Sequence, residues 1–386
     1  MTVVGTRPEI IRLSRLILLL DACTDHTVVH TGQNHDRQLF DVFFDELGLR
    51  PPDHHLGVST TSLGRTIGDV LANVEPVLRE VQPDAFLVLG DTNSCLAAIM
   101  AKRLAVPVFH MEAGNRCFDE NVPEETNRRL IDHISDFNLC YTEHARRNLV
   151  AEGLHPRRVF VTGSPLFEVL DAYRDRIAAS DVLDSIGLQP GGYLLASMHR
   201  EENVDNPQNI ARLFEALERL RQRHGVRVLV STHPRLRDRI SRFELAAEAA
   251  EFELHEPFGY LDYMKLQEQA LGVISDSGTI SEESAILGFP AVTTRNAMER
   301  PEALDTGSML LTGLEPEAIE RAVRFVVEQW AAGARPSAPA EYLVPDFSSR
   351  VVRLVMGLGA LHSRWAGLHP TLRSSRGVDA MPPTEA

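Results

Sequence analysis

The sequence predicts an α/β chain of two successive units, each a parallel sheet covered by helices. Three observations point there. Short apolar runs alternate with amphipathic stretches along the chain. At 386 residues and 44% hydrophobic, it is too long for one small domain and apolar enough for two cores. Polar clusters recur directly after the apolar runs, where open parallel sheets bind their ligands.

The first series of strands is expected at Met1–Val4, His26–Thr31, Ala85–Leu89, Val106–Met111, Phe137–Tyr141 and Val159–Thr162. The second is expected at Tyr193–Met198, Val226–Thr232, Phe252–His255, Gly272–Ser275 and Ala291–Thr294. Over Pro207–His224, residues Ile210, Leu213, Phe214, Leu217 and Leu220 repeat at helical spacing, with Asn206 as cap and Pro207 in the first turn. A crossing near Gly163-Ser164-Pro165 divides the chain into domains 1–165 and 166–347. A closing helix over 348–365 is expected to pack back on the N-terminal domain. The polar, Pro-containing tail 366–386 is expected to be disordered.

A formal net charge of −15 argues against a broad nucleic-acid surface, while a few arginines and histidines can still create a local well for a small anion. The four cysteines show no paired or zinc spacing, which fits free thiols and a cytoplasmic location. No apolar run reaches the roughly 18 residues of a membrane span. Ile10–Leu20 is broken by arginines and lacks a small-residue cleavage site, so it is not read as a signal peptide. The chain has no GxGxxG after its first strand, no Walker A pattern and no HExxH. No dinucleotide cofactor, triphosphate hydrolysis or catalytic metal is therefore expected.

The strand-end clusters are Gly5-Thr6-Arg7, Gly90-Asp91, Glu112, His199-Arg200, His233 and Ser275-Asp276-Ser277-Gly278. Two sheets with facing edges would gather them around one cleft; ordinary polar turns are the plainer alternative. Ser277-Gly278 before the helix at Ile280 has the outline of a phosphate site, with Glu282 and Glu283 one turn on where a carboxylate can take a ribose diol. The alternative is a capped helix with two solvated glutamates. Glu124 and Arg128 stand four apart on a helix that starts with Pro123, so a surface ion pair is a competing reading. Asp91 and Glu112 each end an apolar strand, and together with Glu124 they would form an acid/base set. His199 reads as a phosphate ligand, a general acid or a structural histidine, and His233 as a weaker case of the same kind.

Taken together, Gly5-Thr6-Arg7-Pro8-Glu9, Gly90-Asp91-Thr92, Met111–Arg116, Pro123–Arg128, Ser275–Gly278 and Glu299-Arg300-Pro301-Glu302 resemble the non-hydrolysing UDP-N-acetylglucosamine 2-epimerases. The resemblance runs in order from about residue 1 to residue 360. It implies a GT-B-like fold of two Rossmann-type domains with an interdomain active-site cleft, and a homodimer. It assigns acid/base work to Asp91, Glu112 and Glu124, and places His199 near the diphosphate with His233 as a second cleft histidine. Arg7, Ser277, Gly278 and Glu283 match nucleotide contacts, and Arg128 and Arg300 match arginines that position the sugar or diphosphate. The implied chemistry is elimination of UDP to a glycal and re-addition on inverted C2. This chain has Arg12 where the family commonly carries lysine, and Gly32-Gln33-Asn34-His35-Asp36 where it carries a glutamine-histidine motif. The stretches at Arg7–Ser14 and His110–Asp119 look closer to relatives that form UDP-N-acetyl-L-fucosamine or epimerise diacetamido-uronates. A hydrolysing 2-epimerase, a GT-B glycosyltransferase and a silent sugar-nucleotide sensor are the competing functions.

Overall fold

A computed structural model describes residues 1–32, 44 and 46–367. The tail from 368 onward and residues 33–36 of the Gly32–Asp36 motif lie outside the described residues. The chain forms two compact units. The first comprises Met1–Arg116, Pro123–Val169 and Val344 onward; the second comprises Cys117–Val122 and Leu170–Leu343.

The first unit is built on seven parallel strands in the order β3-β2-β1-β4-β5-β6-β7. These are β1 (Thr2–Val4), β2 (Val28–His30), β3 (His54–His55), β4 (Phe86–Leu89), β5 (Val108–Met111), β6 (Phe137–Cys140) and β7 (Val159–Val161). The residues of β1, β2, β4, β5 and β6 are buried, as continuous runs between two helix layers must be, while the edge strands β3 and β7 are partly open. Strand order reverses between β1 and β4, so the loops after those strands flank the crevice that such a reversal opens. The helix Arg7–Cys23 packs against Phe347–Gly359.

The second unit repeats the plan with six parallel strands in the order β10-β9-β8-β11-β12-β13. They are β8 (Tyr193–Ser197), β9 (Arg227–Ser231), β10 (Glu253–His255), β11 (Gly272–Ser275), β12 (Ala291–Thr293) and β13 (Leu310–Leu311). Alternation along β8 serves two cores. Leu194 and Ala196 join Ile210, Leu213, Leu217, Ile319 and Val323 on one face. Tyr193 and Leu195 join Leu266, Val273, Ile280 and Phe289 on the other. The helix Pro207–His224 has the bounds its periodicity predicts, and Asn206 accepts the Gln208 N–H at 2.9 Å. Here the reversal lies between β8 and β11, which carry His199 and Asp276 just beyond their ends.

Two short strands, β3 and β13, were not expected, because two residues at a sheet edge leave no apolar run to read. The chain leaves the first unit after Val169 rather than 165 and returns at Val344 rather than 348. Local contacts explain both offsets: Leu166 is buried and Glu168 accepts the Ser348 N–H at 2.8 Å. Phe347 packs edge-on against Tyr141 at 6.2 Å. The assignment of Cys117–Val122 to the second unit was likewise not anticipated.

Candidate active site

In the first unit, the parallel register aligns Leu89 with Met111, so Asp91 and Glu112 follow adjacent strands at the same edge of the sheet. Glu112 adopts φ +66°, a left-handed conformation that costs a non-glycine residue about 1 kcal/mol or more. Gly90 is also left-handed, at φ +73°, and a Cβ there would stand 3.3 Å from Glu112 Oε2. The carboxylate of Glu112 therefore lies against the peptide that precedes Asp91. Gly90 meets two demands that another residue would not: it turns the chain and leaves room for that carboxylate.

Each of these carboxylates is matched to an arginine. Arg12 donates to Glu112, and Asn115 Nδ2 lies 3.4 Å from Glu112 Oε1. Arg128 donates through Nε to Asp91 at 2.7 Å and through Nη1 to Glu125 at 3.0 Å. The ion pairs of Arg128 thus go to Asp91 and Glu125 rather than to Glu124, whose half-buried side chain opens the helix Glu124–Ile134. Asn127 donates to the Asp91 carbonyl at 2.9 Å, so this one helix fixes Asp91 from two of its residues.

Sequence reasoning passed over Glu9. Its buried carboxylate accepts the Gly5 and Thr6 N–H groups at 2.5 and 2.8 Å, and the Thr92 and Ser94 hydroxyls at 2.5 and 2.6 Å. It ties the loop after β1 to the loop after β4 and sets Arg7 at the start of its helix. Burial pushes the Glu9 carboxyl upward against the pull of these donors, and burial lowers the Arg7 pKa. The signal lay in its position, three residues past Thr6 in a helix first turn.

In the second unit, Asp276 is the hub. Its buried carboxylate accepts the His199 N–H at 3.1 Å, the Arg200 N–H at 3.1 Å and Asn203 Nδ2 at 3.0 Å, and lies 3.0 Å from His199 Nδ1. Burial works to raise its pKa, but the charge and hydrogen bonding of His199, with Asn203 and Arg200, outweigh burial and hold it at about 2. His199 is thereby oriented through one ring nitrogen. His233, exposed at the start of its own helix, stacks 6.3 Å away at a 44° tilt, so the two histidines come together.

The loop after β11 is braced by hydroxyls. Tyr263 donates to Ser197 at 3.1 Å, Ser197 and Ser275 share a bond of 2.8 Å, and Ser275 accepts the Ser277 N–H at 3.0 Å. Ser277 in turn bonds Thr279 at 2.9 Å before the helix Ile280–Leu287 begins. Beyond this loop, a shallow open pocket is lined by Ser277, Gly278, Arg295, Glu299 and Arg300 among others. Three guanidiniums collect on Glu299: Arg295 at 2.6 Å, Arg200 at 3.6 Å and Arg300 at 3.7 Å. Arg300 also pairs with Glu282, at 2.9 Å from Nε. Glu282 and Glu283 are both buried, Glu283 accepting Gln267 Nε2 at 2.9 Å, so the reading of two solvated glutamates is corrected. Arg295 and Glu299 complete the cluster. Their spacing of four was visible in sequence, but no pattern there marked it.

Within the first unit the arrangement offers oriented carboxylates suited to proton transfer; within the second, guanidiniums and a histidine pair suit an anionic ligand. The family model described as UDP-N-acetylglucosamine 2-epimerase matches residues 20–356. The structure of UDP-N-acetylglucosamine 2-epimerase from Rickettsia bellii superposes with a TM-score of 0.86 at 42% identity, covering 96% of this chain and 99% of that one. That of the Methanocaldococcus jannaschii enzyme in complex with UDP-GlcNAc and UDP gives 0.85 at 31% identity, covering 92% and 99%. The UDP-2,3-diacetamido-2,3-dideoxy-D-glucuronate 2-epimerase of Pseudomonas aeruginosa is 33% identical over 357 residues, 89% of this chain and 98% of that relative. With its two parallel α/β sheets, GT-B-like neighbours and a match over most of its length, the chain belongs to the UDP-N-acetylglucosamine 2-epimerase family of UDP-sugar isomerases.

Proposed function

We propose that the chain inverts C2 of UDP-N-acetylglucosamine, giving UDP-N-acetylmannosamine, by anti elimination of UDP to a 2-acetamidoglucal and re-addition. The C2 hydrogen of this sugar has no neighbouring carbonyl, so removing it directly would leave a poorly stabilised carbanion. Cleavage of the C1–O bond sends its electron pair to UDP and makes C1 electron-poor. A carboxylate then takes the C2 proton, and that C–H pair becomes the C1=C2 double bond. In the return half, a carboxyl group delivers a proton to the other face of C2 and the UDP oxygen re-forms its bond to C1. Two faces call for two proton carriers.

The observation that carries this reading is the pairing of Asp91 and Glu112 at the ends of adjacent strands, each with its own arginine. Glu124, at the start of the helix that supplies Arg128, is the third candidate carrier. In the second unit, Ser277, Gly278, His199 and the arginines around Glu299 serve UDP, with Arg7 of the first unit as a further nucleotide contact and Glu283 assigned to the ribose. His233 and Arg300 support that grip. A proton relay is of no use to a sensor, and a glycosyltransferase has no call for two opposed carriers.

Incubation with UDP-N-acetylglucosamine in D₂O, followed by NMR, tests the proposal. Deuterium at C2 of a UDP-linked product is the expected result. Free N-acetylmannosamine accumulating from the start would assign the chain as a hydrolysing enzyme instead. Exchange only with a diacetamido-uronate substrate would keep the chemistry and move the specificity to that named for the Pseudomonas relative. A cytoplasmic homodimer is part of the same proposal, and a monomer by light scattering would remove that assembly.

A further inference from the structure

One buried group has no place in the proton chemistry above. His110 lies on β5, two residues before Glu112, and is 1% exposed. Its Nε2 lies 2.9 Å from the carbonyl oxygen of Gly90, the peptide that leads into Asp91. Its Nδ1 lies 2.9 Å from Asp132 Oδ1. Asp132, fully buried on the helix Glu124–Ile134, also accepts the Gly114 N–H at 3.2 Å and Arg116 Nη1 at 2.7 Å. Arg116 continues to Glu152 at 2.8 and 2.7 Å, and Glu152 meets the exposed His133 at 3.1 Å.

Both partners of the His110 ring accept only. A carbonyl oxygen lies 2.9 Å from one ring nitrogen and a carboxylate oxygen 2.9 Å from the other, so the ring is clamped from both sides. Buried His110, Asp132 and Arg116, with Glu152 at the surface end, form a chain in which each member is held by its neighbours.

We propose that His110 and Asp132 are positioning residues that set the two candidate carboxylates against each other; this rests on the epimerase reading of Asp91 and Glu112. One end of the brace grips the peptide before Asp91, and the other grips the Gly114 N–H two residues after Glu112. The brace also explains how Glu112 keeps its left-handed φ of +66° while lying against Gly90. A strained backbone persists where its surroundings over-determine it. Release of either grip lets the Gly90 and Gly114 turns relax, and displacement by about 1 Å is enough to cost a proton transfer roughly 100-fold.

The test uses the full-length protein and three variants, His110→Ala, His110→Gln and Asp132→Asn, with steady-state kinetics, C2 deuterium exchange and UDP titration on each. His110→Ala is expected to lower kcat about 100-fold with KM and the UDP Kd within threefold, and C2 exchange should fall in parallel with kcat. His110→Gln retains a donor that can reach the Gly90 carbonyl and should recover about tenfold over alanine. If the alanine variant fails to fold, the glutamine and asparagine variants decide, each expected to lose kcat with KM held. Folded variants that keep kcat within threefold, or that lose kcat and UDP binding together, overturn the brace while wild-type exchange leaves the epimerase reading intact. No C2 exchange by the wild-type chain on any UDP-N-acetylhexosamine overturns the reading itself, and the brace with it.

Discussion

In the first unit, the carboxylates after β4 and β5 are each held by one arginine drawn from a helix distant in sequence, Arg128 for Asp91 and Arg12 for Glu112. In the second unit the proportions turn round: Arg295, Arg200 and Arg300 gather on the single carboxylate of Glu299, beside Gly278. The two sheets share a strand plan and put their polar residues beyond the same strand ends, so the fold does not make this difference. Charge ratio does. A carboxylate set against a fixed arginine keeps a defined direction. Guanidiniums carry five N–H donors each in a planar fork, the geometry that suits a diphosphate. On the reading proposed above, the same architecture serves proton transfer in one half and anion binding in the other.

The largest expected effect breaks the comparison at its first half. Asp91→Asn and Glu112→Gln should each lower kcat by about 1,000-fold, the loss of one acid/base group, while UDP binds within threefold of wild type. Turnover with isothermal titration of UDP measures both numbers. Near-normal kcat in both variants, or parallel loss of UDP affinity, would mean that the two halves do not divide the work in this way.

A smaller effect is expected at Asp276, where burial alone would have raised the pKa and the His199 pair brings it to about 2. The sign follows from the depression. The carboxylate is stabilising above its unfolded pKa of about 3.9, and that stability is lost as pH falls from about 4 toward 2. That depression corresponds to roughly 2 kcal/mol for this fully buried group. Asp276→Asn should therefore lower the denaturation midpoint at pH 7, and the gap to wild type should close between pH 4 and pH 2. A gap that stays constant across that range would show that packing, not the charge pair, is what Asp276 contributes.

These sites differ in how far the sequence announced them. Asp91, Glu112, His199 and Ser277 were legible because each ends an apolar strand, and strand ends are readable from hydrophobic pattern. Their partners were not. Arg12 and Glu112 are 100 residues apart, and Arg128 and Asp91 are 37 apart, so only the parallel stacking of β1, β4 and β5 brings them together. Local rules instead paired Arg128 with Glu124, four residues away, whereas the helix turns Glu125 toward it. Asp276 stood within a quoted motif, yet nothing in Ser-Asp-Ser-Gly says that its carboxylate turns back onto His199, which belongs to the neighbouring strand. Edge strands β3 and β13 stayed hidden because two residues carry no period.

The finest probe of the anion-binding half is a single methyl group. At Gly278 an added Cβ would sit 3.2 Å from Glu299 Oε1, 3.5 Å from Arg200 Nη2 and 3.7 Å from Arg295 Nη1. The first distance is tight and presses on the Glu299 carboxylate, which lines the pocket together with Arg295, while the two guanidiniums stand at ordinary contact. All three belong to the ends of side chains, so the fold can absorb the methyl by shifting them a few tenths of an ångström. That shift disturbs the cluster without removing a charge. Gly278→Ala should then raise KM for the UDP-sugar and the Kd for UDP together, by about three- to tenfold or roughly 1 kcal/mol, with kcat within twofold. Equal change in the two binding constants is the decisive outcome, because UDP lacks the sugar. A variant that lowers kcat instead would move Gly278 out of the anion grip and into the proton chemistry, and the division between the two halves would not stand.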